Sequence, residues 1–386
     1  MFNEAKVFKA IEEKEPQMIA FLERLVNIES AIDSPEGIHE VATIVRDKLA
    51  SLGFDEAKLI ETPNAPTHVF GHKAAKDPNA KKIMIMGHMD TVFPKGTVAQ
   101  RPFTIKDRTA YGPGVLDMKS GITLSLFALE ALFEDGWQEK DITVFFCGDE
   151  ETAHPMTNAA DLFMEFAKDK DAVFNMESGR PDGGVIIGRK GTAKPTFKIK
   201  GIGAHAGNEP EKGASAILEA AHKIIEIQNL TDMEKGTTFN VGTIKGGVVF
   251  NAVPDNATFE VDIRALTIPD MEQALKDLKA ISEKTYIAGT ETVVEGLVAS
   301  YPPMETTDKV KELFALIQEQ GRKLGIEIEG FVVGGGSDAA WTVKAGAATV
   351  CSMGSRGGLN HSVDEFILLD GFVERAKLLA LCADAV

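Results

Sequence analysis

The sequence predicts an α/β protein: a larger domain with a largely parallel central sheet flanked by helices, and a smaller α+β domain inserted into it. Three observations predict this. Short, continuous apolar runs at 83–86 (IMIM), 142–147 (ITVFFC) and 172–176 (AVFNM) have the length of strands buried on both faces. Helical text lies between the first two runs, as parallel pairing requires. Near residue 190 the texture shifts to alternating strands, and after Pro302-Pro303 it shifts back.

The elements follow in chain order. Residues 16–28 set Met18, Ile19, Leu22, Leu25 and Val26 on one helical face. After the first apolar run comes 120–134, SGITLSLFALEALFE, with Ser120 as expected N-cap and Gly136 closing it. It is apolar nearly all round and is therefore expected inside the core. TFKIK at 196–200 alternates like a strand with one wet face. A helix at 213–229, strands at 237–244 and 257–264, a helix at 270–285 and a strand at 292–298 follow. This βαββαβ order is that of a ferredoxin-like layer, with helices on one face of an antiparallel sheet. Domain boundaries are therefore expected at 1–189 plus 302–386 for the larger domain and 190–301 for the inserted one.

Composition narrows the function classes. The 386-residue chain has 41 basic and 58 acidic residues, a formal charge of −17. Such a surface repels phosphate backbones and argues against nucleic-acid binding. Cys147, Cys351 and Cys382 are far apart and form no CxxC pair, so neither a disulfide framework nor a thiolate zinc site is expected. The charged start, MFNEAKVFKAIEEKE, lacks an apolar signal core, and no window approaches a membrane span. A cytoplasmic location without membrane contact is expected. No Gly-rich nucleotide loop and no GxSxG elbow occurs.

Chemistry-bearing residues gather at the ends of the apolar runs. GHMDTVFP (87–94) sets His88 and Asp90 at a strand's carboxyl end, where open α/β sheets bind ligands. Two residues apart in extended chain, both side chains point the same way, so one can bind a metal while the other holds the imidazole. In YGPGVLDMKSG (111–121) Asp117 precedes the core helix; it either caps that helix or bridges two cations. CGDEET (147–152) places three acids directly after a buried strand, a costly cluster without cations to neutralise it. Glu151 suits a ligand and Glu150 a general base acting on water. Glu177 ends the third run, and GLNHSVDEF contributes His361 from a loop. Nitrogen and oxygen donors without Cys suit Zn2+, with Co2+ or Mn2+ as substitutes.

The ordered motifs HMDTVFPKG, AYGPGVLDMKSG, GDEE, GAHAG, NAVPDNATFEVDIR, GGGSDA and GLNHSVDEF resemble the zinc-dependent amidohydrolase and carboxypeptidase family. That family includes glutamate carboxypeptidase, acetylornithine deacetylase, succinyl-diaminopimelate desuccinylase and aminoacylase. The resemblance spans essentially the whole chain and looks closest to the glutamate carboxypeptidase branch. It implies a metal-binding catalytic domain, an inserted dimerisation or lid domain, and two zinc ions. Asp117 would bridge the ions, His88 and Glu177 would complete one site, and Glu151 and His361 the other. Asp90 would orient His88, and Glu150 would be the general base. His205 would stabilise the oxyanion, often from the partner subunit in this family. Asn251, Arg264 and the glycines Gly335 and Gly336 would meet the substrate, Arg264 by gripping a carboxylate.

The implied substrate is a small peptide or an N-acyl amino acid, and the implied assembly a homodimer. The readings left open are a carboxypeptidase, an N-acyl amino acid deacylase, and a non-catalytic binding protein that keeps the fold. Two departures from the family pattern stand out. TAHPMTNAAD (152–161) replaces the usual small-residue turn and introduces His154, read as a loop residue. The basic residues that read a glutamate side chain are missing from 182–185 and 296–303, so Arg180, Arg189 or Lys190 would have to serve.

Overall fold

The computed structural model describes residues 2–386. The chain divides into two units: one comprises the chain through Ile187 with Thr306–Phe331 and Trp341–Val386, the other Gly188–Glu305 with Val332–Ala340. The segment 332–340, which carries GGGSDA, thus groups with the smaller unit, whereas the sequence placed it in the larger domain.

The larger unit is built on a six-stranded sheet in the order Glu56–Ile60, His68–Lys73, Asp141–Cys147, Lys82–His88, Ala172–Asn175, Thr349–Val350. The first two pairings are antiparallel and the other three parallel. The three apolar runs are the neighbouring parallel strands, buried almost throughout. Because they run the same way, with His88 opposite Cys147 and Met86 opposite Asn175, their carboxyl ends share one edge of the sheet. The acids and histidine that follow them therefore emerge together.

The helix Ser120–Glu134 is buried continuously from Ser120 to Leu129 and packs against the C-terminal helix Leu369–Ala385. Its apolar surround makes it an interior helix, each fully buried Leu or Phe contributing about 1.5–3 kcal/mol. The N-cap expected at Ser120 is incorrect: Ser120 already has helical dihedrals, Lys119 occupies the cap position, and no side chain caps the end. The preceding turn, Val115–Lys119, leads straight into the helix, which removes the need for a separate cap. Gly136 (φ +79°) follows the helix end, as read from the sequence.

The smaller unit has its own core, centred on Phe197, Phe239, Phe259, Ile263 and Leu278. Strands Thr196–Lys200, Thr238–Gly246, Asn256–Ala265 and Glu291–Glu295 pair antiparallel, and helices Ala216–Gln228 and Ile268–Glu283 pack on them. The short strands Gly191–Ala193 and Ala299–Tyr301 extend this sheet. They are too short to show a period in the sequence. Among the described residues all three cysteines are free and buried, and no helix is long and apolar enough to cross a membrane.

Candidate metal centre

Three strand ends and the His361 loop of the larger unit converge on Asp117. One group, His88, Asp117 and Glu177, is buried; a second, Asp117, Glu151 and His361, is partly open. Within each group the candidate ligand atoms lie within 4.8 Å of one another. The two Asp117 oxygens face different histidines: Oδ1 is 3.1 Å from His88 Nε2, and Oδ2 is 3.2 Å from His361 Nε2. Glu177 Oε1 lies 3.5 Å from His88 Nε2 and Glu151 Oε2 lies 3.3 Å from His361 Nε2.

Local structure aims each group. Gly112-Pro113-Gly114 turns the chain sharply, with Gly114 at φ +72° and no room for a Cβ, which would meet Thr91 Cγ2 at 2.4 Å. The next turn carries Asp117 in non-helical dihedrals, with a cis bond to Met118. His361 has φ +61°, a left-handed conformation uncommon outside glycine and frequent at functional sites. His88 Nδ1 lies 3.0 Å from the main-chain oxygen of Asp90 and 3.4 Å from its carboxylate. That contact fixes a ring proton on Nδ1 and turns Nε2 toward the carboxylates of Asp117 and Glu177. The Asp90 carboxylate, expected to orient His88, also accepts the backbone N–H of Glu150 (3.1 Å) and Glu151 (2.9 Å). Asp90 thereby fastens the acidic turn Glu150–Thr152 to the neighbouring strand end.

The electrostatics describe a centre short of positive charge. Burial would lower the pKa of His88, yet Asp117, Asp90 and Glu177 hold it well above the ordinary imidazole range. His361 is raised to about 10 by its hydrogen bonds to Asp117 and Glu151. Burial would raise Asp117, but His361 and His88 hold it well below the usual carboxylate range. Glu151 is raised, chiefly by burial. Its Oε1 is buried and has no hydrogen-bond partner, a costly state that a cation would relieve. Two imidazoles and three carboxylates with an orphaned oxygen fit divalent ions that prefer mixed nitrogen and oxygen donors.

Two neighbours escaped the sequence reading. Asn360 Nδ2 donates to Asp117 Oδ2 (3.1 Å). Glu365, fully buried, accepts the N–H of Gly114, Leu116 and Asp117, while burial pushes its carboxyl up to about 7. Both stand within four positions of His361, and the acidic pair Asp364-Glu365 ahead of an apolar residue was the available signal. His154 lies outside both groups; its Nδ1 pairs with buried Asp149 (2.9 Å), which also accepts from Thr157 Oγ1 (2.8 Å). Cys147, Asp149 and His154 are close enough to form a third potential donor set.

The other candidates belong to the smaller unit. His205 Nδ1 accepts the N–H of Gly207 and Asn208, both at 3.1 Å, so the neutral ring carries its proton on Nε2. Arg264 forms two bonds to the carboxylate of Asp262 (2.7 and 2.8 Å) and a third to the carbonyl of Gly334 (3.0 Å). Arg189 donates to the carbonyls of Gly335 and Gly336, so those backbone oxygens, which the resemblance sets against the substrate, already have partners. Asn251 is exposed, and its carbonyl accepts the N–H of Ala206.

Comparison with known proteins follows the same lines. Over 385 residues the chain is 33% identical to carboxypeptidase G2 of Pseudomonas sp. (strain RS-16), covering 97% of this chain and 90% of that one. It is 25% identical to the succinyl-diaminopimelate desuccinylase of Dechloromonas aromatica, covering 85% and 88%. The fold matches that of aminopeptidase PepT from Bacillus cereus with a TM-score of 0.79 at 22% identity, covering 96% of this chain and 98% of that one. A tripeptidase from Staphylococcus aureus matches with a TM-score of 0.76 at 23% identity, over 96% and 98%. Residues 84–385 match the profile of peptidase family M20/M25/M40. With its clustered donors and these relatives, the chain belongs to the metal-dependent peptidase family M20/M25/M40 and is a hydrolase of peptide or amide bonds.

Proposed function

We propose that the protein is a dinuclear zinc hydrolase that cleaves the amide bond beside a free carboxylate, as a glutamate carboxypeptidase-like metallopeptidase. The observation that carries this reading is the division of Asp117, one oxygen toward His88 and the other toward His361. His88, Asp117 and Glu177 would hold one ion, and Asp117, Glu151 and His361 the other. Zinc, when bound, supplies Lewis-acid polarisation and acidifies water.

The chain's own residues do the rest. Glu150 takes a proton from the attacking water and delivers it to the departing nitrogen, so water and amide become carboxylate and amine. Asp90 keeps Glu150 in place through the backbone bond already described. His205, with Nε2–H available, donates to the developing oxyanion. Arg264 receives the substrate carboxylate, for which its planar fork suits a bidentate pair, at the cost of part of its pairing with Asp262.

A second reading, N-acyl amino acid deacylase, is favoured by one observation. Arg180, a candidate for reading a glutamate side chain, is held by Asp182 through bonds of 2.7 to 3.2 Å. A homodimer through the smaller unit is proposed from its free edge: among the described residues Thr238–Gly246 pairs only with Asn256–Ala265. Near it Ile244, Val248, Val249 and Phe250 are exposed. Light scattering on the purified protein tests that assembly, and a monomer at all concentrations refutes it.

The central experiment couples metal analysis to a panel of carboxyl-terminal glutamate dipeptides and N-acyl amino acids. Two zinc ions per chain, lost together in Asp117→Asn, are expected. One ion per chain, or undiminished zinc in Asp117→Asn, would overturn the shared-carboxylate reading.

A further inference from the structure

We propose that Glu365 is a positioning residue that sets the Asp117 turn and the His361 loop against one another and so fixes the distance between the two halves of the metal centre. This rests on Asp117 and His361 being ligands, as proposed above. Glu365 sits four residues after His361, fully buried. Its Oε1 accepts the N–H of Leu116 at 2.7 Å and of Asp117 at 2.9 Å, and its Oε2 the N–H of Gly114 at 3.2 Å. One side chain thus collects three amides of the turn, including the amide of Asp117 itself.

The segments that flank these contacts are already stitched together. Phe366 pairs with Tyr111 and Leu368 with Thr109, so the chain leaving Glu365 runs beside the chain entering the Gly112–Gly114 turn. On the opposite side of Glu365, Asn360 donates to Asp117 Oδ2 and His361 faces the same oxygen. The Asp117 turn is therefore held at its backbone by Glu365 and at its carboxylate by Asn360 and His361, all from one short stretch of chain (360–366). A carboxylate accepts at both oxygens, whereas the amide of a glutamine would turn an N–H2 donor toward a backbone N–H. Loss of the second acceptor would let the turn, and Asp117 with it, shift relative to His361.

A merely structural buried carboxylate would behave differently, and the chain supplies one for comparison. Glu219, in the smaller unit, is also fully buried and accepts the backbone N–H of Tyr286 (2.9 Å) and Ile287 (2.7 Å). Wild type, Glu365→Gln, Glu365→Asp and Glu219→Gln are each prepared metal-free. Three readouts follow: thermal unfolding of the apoprotein, zinc affinity by competition with a chromophoric chelator, and the visible spectrum with cobalt. Glu365→Gln is expected to weaken zinc binding by about 10–100-fold, the range for residues that support metal ligands, and to alter the cobalt spectrum. Glu219→Gln is expected to lower the unfolding temperature and leave zinc affinity and the cobalt spectrum as in wild type. Should Glu365→Gln not fold, Glu365→Asp, which keeps the charge one methylene short, is expected to show a smaller loss of the same kind. Wild-type zinc affinity and cobalt spectrum in the folded Glu365 variants, or an equal loss of affinity in Glu219→Gln, would overturn the proposal. A wild-type protein that binds no zinc would instead sink the metal centre itself, a failure visible before any variant is compared.

Discussion

Replacing Gly121 by Ala tests how tightly the metal centre is built into the core. Gly121 lies in the first turn of the helix Ser120–Glu134, and a Cβ there would sit 1.8 Å from the carbonyl oxygen of Met176 and 3.2 Å from Met118 Cε. The first gap falls about 1.2 Å short of the 3.0 Å that real Cβ atoms respect. Met176 cannot yield freely, because its N–H is bonded to Met86 O and the next carbonyl, of Glu177, accepts from Gly354. Alanine would gain about 0.5–1 kcal/mol of helix propensity, against overpacking of about 1–3 kcal/mol. Overpacking wins, and the displaced strand end carries Glu177. A misplacement of about 1 Å at a reacting centre costs on the order of 100-fold in rate. The expected result is a folded protein, destabilised by about 1–2 kcal/mol, with kcat/KM down about 100-fold and the His88–Glu177 side depleted of metal before the Glu151–His361 side. Calorimetry, metal content after graded chelation, and steady-state rates measure these. Unchanged stability and metal retention would refute the claim that the helix and the strand end are in rigid contact.

Further predictions follow from the same geometry. Glu150→Gln should lower kcat by about 100–10,000-fold with zinc content intact; metal analysis beside rates checks it, and substantial residual turnover removes Glu150 as the base. Arg264→Ala should raise KM with little change in kcat if the grip is uniform between ground and transition states, and carboxylate-free substrates should not notice the change. In the metal-free protein His361 titrates near 10. Its contribution to stability should be complete below about pH 6.5, the ordinary imidazole value, and fade as pH rises toward 10. Zinc must expel that proton, so zinc affinity should rise over the same interval. Apoprotein unfolding and zinc titration at matched pH values read both slopes, and parallel slopes of one sign would contradict the assignment.

What could be read from the sequence follows from where physical constraint is strongest. IMIM, ITVFFC and AVFNM are legible because a strand buried on both faces tolerates little but apolar residues, and TFKIK (196–200) and ATFEVDIR (257–264) are legible because a strand with one wet face must alternate. The acids after those runs are legible for the converse reason, since charge beside a core demands an explanation. Glu365 was passed over because a buried carboxylate paired to backbone amides looks, in sequence, like any surface acid. Ser120 misled because a hydroxyl before an apolar run usually caps a helix, whereas here the chain enters the helix directly from the Asp117 turn. The grouping of 332–340 with the smaller unit depends on long-range contacts that no local pattern encodes.

The order of the ligands along the chain has a consequence for biosynthesis. By the time residue 187 has left the ribosome, His88, Asp117, Glu151 and Glu177 all exist, but His361 and the Glu365 buttress are still unmade. On the two-ion assignment proposed above, a zinc ion captured during translation would meet a complete donor set only on the His88 side. On that assignment the second seat would open only when the stretch carrying His361 docks, which makes full metal loading a late step.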